Sequence, residues 1–323
     1  MHNKIRKSFT SCEFGLIVVL LAGFTVSVIE CRLISCEIFH SYPEECFLKN
    51  HGTFETHDVT SINKYSRTSY KRFDLENWGI VKRVPTFLFE KLPKLRYVVI
   101  MRSAITEIQP GDFWWTKKAV ELMIIYNPIV YIHDYAFFGS NRTRQLIMSH
   151  NQLSNITRNT FNGLTKIRGI DLSHNQITHI EDGAFNFRLL VALNLANNKL
   201  KVISRKTIVN ISPMTEFSIA SNAITRINDL FDGMTALQFL DLNNNPIVDL
   251  NYTMFARMPD LRNLGIALTG FLSSTDEDVA NAEAAQSGLE KLALSDNQLE
   301  HTFLSNVHRV FKQLGLSQEI KVL

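Results

Sequence analysis

The chain has 323 residues, 45% hydrophobic and 20% charged, apolar enough for one large folded unit or two modest ones and too apolar for a chain that stays disordered. Its 34 basic and 31 acidic side chains leave a formal charge of +3 with no long block of either sign, so composition alone gives nucleic acid no electrostatic invitation. All 4 cysteines fall within the first 46 residues, which excludes a disulfide-stapled scaffold or a Cys-ligated metal site for the rest.

The amino terminus runs from Lys4, Arg6 and Lys7 into an apolar stretch from Phe14 to Ile29, the layout of a secretory signal peptide, so residues 1–30 are expected to be removed. Cleavage after Ser27 and cleavage nearer Cys31 are both compatible with the small side chains of Thr25 and Ser27. An uncleaved anchor is the alternative, but sixteen residues at ~1.5 Å each reach only ~24 Å against a ~30 Å hydrocarbon core. No later run of membrane-spanning length follows, and stable membrane insertion is not expected. In an oxidising compartment Cys36 and Cys46 are the natural loop-closing pair, with Cys31 an odd thiol if it is retained. Asn-x-Ser/Thr sequons at Asn141, Asn155, Asn210 and Asn251 fit the same compartment as glycosylation sites.

From about residue 73 the chain repeats itself. The frame Ile167-x-x-Ile170-x-Leu172-x-x-Asn175-x-Ile177-x-x-Ile180, closed by Phe185, returns around Asn151, Asn198 and Asn245. The position of Asn175 is filled in order by Trp78, Ser103, Asn127, Asn151, Asn175, Asn198, Asn222, Asn245, Thr269 and Asn297, at spacings of 25, 24, 24, 24, 23, 24, 23, 24 and 28 residues. Alternation within each unit points Leu172-type residues inward and their neighbours outward, as in a strand. Each asparagine can satisfy turn backbone groups with its amide, forming a ladder from coil to coil that Trp78 and Thr269 interrupt. The column Phe89, Phe113, Phe137, Phe161, Phe185, Phe231 and Phe255 is expected to stack as an aromatic spine. One such unit buries too little to fold alone, so neighbours must cover its open faces and the ends need caps. Residues 31–72 are read as the amino cap with the cysteine pair, 73–302 as about ten repeats of 24 residues, and 303–323 as a capping helix or tail, from Leu304, Val307, Phe311 and Leu314 at helical spacing. The longer spacing between Ile266 and Leu292 accommodates the acidic, alanine-rich segment Asp276–Gln286 as a surface insertion.

This frame resembles the extracellular leucine-rich repeat, L-x-x-L-x-L-x-x-N-x-L with a later phenylalanine. The resemblance implies an α/β solenoid, a right-handed β-α superhelix or horseshoe with a parallel β-sheet on its concave side. Ser173-His174-Asn175, with Asp171 beside it, superficially suggests a catalytic triad, but Ser149-His150-Asn151 occupies the same place one repeat earlier, so these residues belong to the frame. His150 and His174 are expected on adjacent strands ~4.8 Å apart as a surface pair without a third metal ligand. No phosphate loop, dinucleotide fingerprint, zinc-protease pattern or nucleophile elbow is present; a binding protein without cofactor is expected.

Outward-pointing side chains are uneven along the array. Tyr97, Val99, Met101, Met123, Ile125, Tyr126 and Ile147 make an apolar group in the early repeats, whereas Asp171, Ser173, Asn194, Ala196, Ser218, Ala220, Asp241 and Asn243 are small or polar. The first group is the expected partner-binding patch; the competing expectation is that the chain's own cap or tail covers it. With its signal peptide, 24-residue repeats and few cysteines, the chain looks most like the soluble leucine-rich immune (LRIM) proteins of mosquitoes, in a form lacking their carboxyl-terminal coiled coil. That resemblance implies a secreted innate-immune recognition protein whose partner is a protein or microbial-surface ligand, another leucine-rich-repeat protein among the candidates. A cell-surface adhesion or receptor ectodomain, Toll-like or chaoptin-like, and an enzyme inhibitor are the alternatives.

Overall fold

The computed structural model describes residues 71–76 and 83–266, apart from 211–212, 228, 249–254 and 256–257, together with the backbone of strands at 37–39, 42–49, 291–293 and 320–321. Thirteen strands form one sheet in chain order. They are Glu37–Phe39 (β1), Tyr42–Lys49 (β2), Arg72–Glu76 (β3), Tyr97–Met101 (β4), Glu121–Ile125 (β5), Gln145–Ile147 (β6) and Gly169–Asp171 (β7), followed by Ala192–Asn194 (β8), Glu216–Ser218 (β9), Phe239–Asp241 (β10), Asn263–Gly265 (β11), Lys291–Ala293 (β12) and Ile320–Lys321 (β13). Every neighbouring pair is parallel except β1 with β2.

Tyr97 pairs with Glu121, Glu121 with Gln145, Gln145 with Gly169, and Gly169 with Ala192. One coil therefore advances by one sequence period, the solenoid arrangement expected of the frame. About seven turns stack in this way. Alternation sets the core: in β3 and β5 every second residue is buried, and Ile167, Ile170, Leu172, Ile177, Ile180 and Phe185 of a single turn all face inward.

Two devices run from turn to turn. The amide nitrogen of Asn175 donates to the carbonyls of Leu172 and of Met148 one coil earlier, while its oxygen accepts the N–H of Leu153. Asn151, Asn198, Asn222 and Asn245 likewise donate both within their own turn and back to the preceding coil. Asn127 receives the N–H of Ser103 at 2.8 Å, so a serine that cannot itself bridge two coils still joins the ladder through its backbone. The expected breaks at Trp78 and Thr269 lie outside the described residues. The phenylalanine spine is continuous from Phe89 through Phe113, Phe137 and Phe161 to Phe185, with ring centroids 5.4 to 6.2 Å apart. Phe73 extends it at the amino end, edge-on to Phe89 at 5.5 Å. Beyond Phe185 the next coil places Ile208 beside it and interrupts the column, while further on Phe231 is buried in the core and Phe255 packs against it.

The helical half of the α/β expectation needs correction. Thr86–Lys91 is a six-residue helix, but from Gly111 to Val248 the described return side is made of turns and short parallel pairs, such as Asn155–Ile156 with His179–Ile180. A 24-residue coil whose sheet strand and inner turns use most of its length leaves too few residues for a helix of several turns. The coils approach closely there. Gly163 has φ +106°, and a Cβ at that position would lie 2.4 Å from the Phe137 carbonyl oxygen, so only glycine fits.

At the ends, β2 pairs with β3 from Glu45↔Arg72 to Lys49↔Glu76. Part of the segment read as amino cap is thus continuous with the sheet. Cys46 stands on β2 in register with Phe73, whereas Cys36, and with it the expected disulfide, lies outside the described residues. So do the signal segment 1–30, Asn251, the insertion 276–286 and the expected helix at Leu304–Leu314. Ile320–Lys321 is a strand paired with β12, so the end of the 303–323 segment joins the sheet. Among the described residues no helix is long and apolar enough to cross a membrane.

Candidate binding face

Register turns the expected patch into a two-dimensional arrangement. Val99, Met123 and Ile147 stand side by side on β4, β5 and β6, and Met101 and Ile125 form a second row. Tyr97, Glu121 and Gln145 form a third row on the other flank. Tyr97, Met101, Met123, Ile125 and Ile147 are half-buried on the solvent face of the sheet. Val99 departs from expectation: it retains only 5% exposure, because Asp74 and Met123 flank it on the two neighbouring strands. It supports the patch more than it presents itself to a partner.

Tyr126 faces outward as expected, but from just beyond the strand. It follows β5 in the left-handed region, at φ +56°, and is 46% exposed. The same place on neighbouring coils holds Arg102, His150, His174 and Asn197, all with positive φ. That shared backbone geometry aligns their side chains as a second column beside the apolar rows. The Arg102 guanidinium lies 5.5 Å from the Tyr126 ring centroid, Tyr126 stacks on His150 at 4.3 Å, and His150 stacks on His174 at 4.1 Å. Arg102 is held from the other side by Glu76, 3.3 Å away. With the two imidazole planes 9° apart, the in-plane lone pairs of their nitrogens do not converge on a shared point, so the pair is built for stacking. Burial, followed by the nearby His174, pushes the His150 pKa down, against a smaller opposing pull from Asp171.

The polar outward residues of later coils have a structural use. Asp171, Asn194 and Asp241 each accept the N–H of the residue two positions on, at 2.9 to 3.1 Å. They are turn-formers that satisfy a backbone donor two residues past the strand's end. Burial raises the Asp241 pKa, partly offset by that hydrogen bond from Asn243. Small side chains complete this region, since a Cβ on Gly265 would meet the side chains of Asp241 and Asn243.

Asn141 and Asn155 are exposed, and Asn210 is exposed with its amide donating to Asn186 at 2.8 Å. None lies on the apolar rows. An exposed aromatic group on the return side was not anticipated: Trp114 stacks on Phe138 at 5.3 Å, and Lys117 lies over both Trp114 and Trp115. Its signal was in the sequence, where Phe113 and Phe137 fill the spine and the aromatic residues that follow must then point outward. Among the described residues no group of three His, Cys, Asp or Glu side chains is placed to hold a metal ion.

Residues 117–177, 142–187, 170–224, 188–247 and 212–267 each match the family model described as leucine rich repeat. With the stacked parallel strands, residues 117–267 form a leucine-rich-repeat solenoid. No curated protein matches the chain in sequence. Among solved structures it is similar to TLR13 in its complex with ssRNA13, at 20% identity and TM-score 0.64 over 74% of this chain and 35% of that one. It is also similar to Toll of the Drosophila Toll–Spatzle complex, at 17% identity and TM-score 0.63 over 76% and 37%. The leucine-rich-repeat domain of the mosquito protein APL1B gives 20% identity and TM-score 0.54 over 66% and 61%. The chain thus spans about a third of the TLR13 and Toll chains and under two thirds of APL1B. At these identities the likeness is one of fold.

Proposed function

We propose that the protein is a secreted recognition protein of innate immunity that binds another protein through the sheet face of its early coils and carries out no catalysis. The observation that carries this reading is the registered apolar block Val99–Met123–Ile147 and Met101–Ile125, on a sheet whose later coils present small or polar side chains apart from the exposed Phe239. Apolar side chains including two methionines, rimmed by Asp74, Glu76 and Asp171, have the make-up of a binding surface with an apolar centre and a polar margin. Tyr126 and its stacked column extend the block with rigid aromatic area, which binds at low entropic cost.

The immune setting is supported by the kinds of protein that share the fold, Toll, TLR13 and APL1B, and by the resemblance of the repeat frame to mosquito immune proteins. Secretion is supported by the apolar amino-terminal segment and by exposed sequons at Asn141, Asn155 and Asn210. A microbial-surface ligand and a second leucine-rich-repeat protein are the other partners this face suits. The test is partner capture from native extracellular fluid with wild-type protein and with Met123→Asp/Ile125→Asp. Loss of a specific partner in the variant supports the reading, and equal capture by both opposes it.

A further inference from the structure

The near-zero net charge conceals a segregated one. A groove of about 600 Å³ runs along the margin where the chain enters the sheet, and basic side chains line most of it. They stand in two rows. Three residues before each strand come Lys94, Lys118, Arg142 and Lys166; one residue before come Arg96, Val120, Arg144 and Arg168. Seven of these eight positions are cationic. The equivalent positions on the next three coils, Leu189, Val191, Pro213, Thr215, Ala236 and Gln238, carry no charge.

The second row is fixed by backbone. The N–H of Arg96 donates to Lys71, Val120 to Arg96, Arg144 to Val120 and Arg168 to Arg144, all at 2.7 or 2.8 Å. The rows therefore repeat at the strand spacing of ~4.8 Å, and four coils span ~14 Å. Among the described residues, none of the seven cations forms an ion pair, and all are exposed. Like charges held this close without counterions repel one another, a cost that bound anions relieve.

We propose that this groove binds a linear sulfated polysaccharide. A ladder of cations along one line fits a polymer with regularly spaced oxyanions better than a single compact anion. Guanidinium forks on Arg96, Arg144 and Arg168 can pair with oxyanions through two N–H donors each. Single-stranded nucleic acid is disfavoured because its sequence-independent readers interleave cations with aromatic stacking platforms, and the groove's uncharged lining is Val120 and Leu189. The groove lies on the margin of the sheet, apart from the apolar rows, so it can act alongside partner binding and does not depend on it.

The test uses the full chain and a fluorescent heparin-derived oligosaccharide, titrated at several salt concentrations. Arg144→Glu/Arg168→Glu should weaken binding at least tenfold and flatten the salt dependence. Lys118→Glu/Lys166→Glu should do the same through the other row. Lys199→Glu/Lys201→Glu makes the same charge change outside the groove and should alter binding less than twofold. The proposal is overturned if heparin fails to bind, if the control pair weakens binding as much as the groove pairs, or if single-stranded DNA of matched length binds more tightly than heparin. Melting curves of each variant check that the fold is intact.

Discussion

The imidazole rings of His150 and His174 lie face to face, centroids 4.1 Å apart and planes 9° from parallel, with Tyr126 continuing the stack at 4.3 Å. Burial lowers the His150 pKa, and His174 lowers it further, since two protonated rings cannot hold this contact without repulsion. A histidine with a folded pKa below its unfolded one gives stability that is present above the unfolded pKa and lost as pH falls through the folded pKa. The melting temperature of the wild type should therefore drop more between pH 7.5 and 5 than that of His150→Asn, which keeps a residue suited to positive φ. Equal drops would show that the stack is not the acid-sensitive element.

The ladder predicts a larger, pH-independent loss. Asn175→Ala removes donors to Met148 and Leu172 and the acceptor for the Leu153 N–H, all in the buried interior. Unsatisfied buried groups cost ~1–3 kcal/mol each. Denaturant unfolding should show about 2–4 kcal/mol less stability, and Ser or Asp at this position should not restore it, because neither keeps the amide donors.

Coil-to-coil contact predicts intolerance of one added methyl group. Gly163→Ala places a Cβ against the Phe137 carbonyl at a φ that side chains rarely adopt, a strain of at least ~1–3 kcal/mol. Gly183→Ala is the informative comparison. It also has positive φ but meets nothing within 4 Å, so it should cost the backbone component alone and melt at a higher temperature than Gly163→Ala.

Asp112 predicts a gain. Its carboxylate accepts the Gln109 N–H at 2.7 Å, yet burial pushes its pKa up to about 6. An aspartate whose folded pKa exceeds its unfolded value gives stability that is complete below the unfolded pKa and is lost as pH rises through about 6. Asp112→Asn keeps the acceptor and removes the charge. It should raise stability at pH 7.5 by on the order of 1–3 kcal/mol, with the gain vanishing near pH 4; a loss at pH 7.5 would contradict this account.

How much of this could be read from the sequence follows from how far apart cooperating residues lie. The frame around Asn175 is local, within 20 residues, and it fixed the strand register, the asparagine ladder and the spine as far as Phe185. Three things were harder to read. Helices on the return side follow from family resemblance, whereas the described return side between 111 and 248 is made of turns and short parallel pairs. The cation rows were invisible as a charge run because Arg96, Arg144 and Arg168 are separated by whole coils; only superposing the coils brings them together, and net charge averages them away. Tyr126 was found as an exposed aromatic, but its stack on His150 depends on a shared left-handed backbone that no hydrophobic pattern records.

The central claim is that the registered apolar block on β4 to β6 is where a partner docks. Its most direct measurement is the affinity of the captured partner for wild-type protein, for Met123→Asp/Ile125→Asp, and for Ala192→Asp/Ser218→Asp at half-buried outward positions on later coils of the same face, each with matched melting curves. The account predicts at least a hundredfold loss for the first pair, since charge is forced into the apolar centre of an interface, and little change for the second. Unchanged affinity in Met123→Asp/Ile125→Asp, with the fold intact, would contradict it.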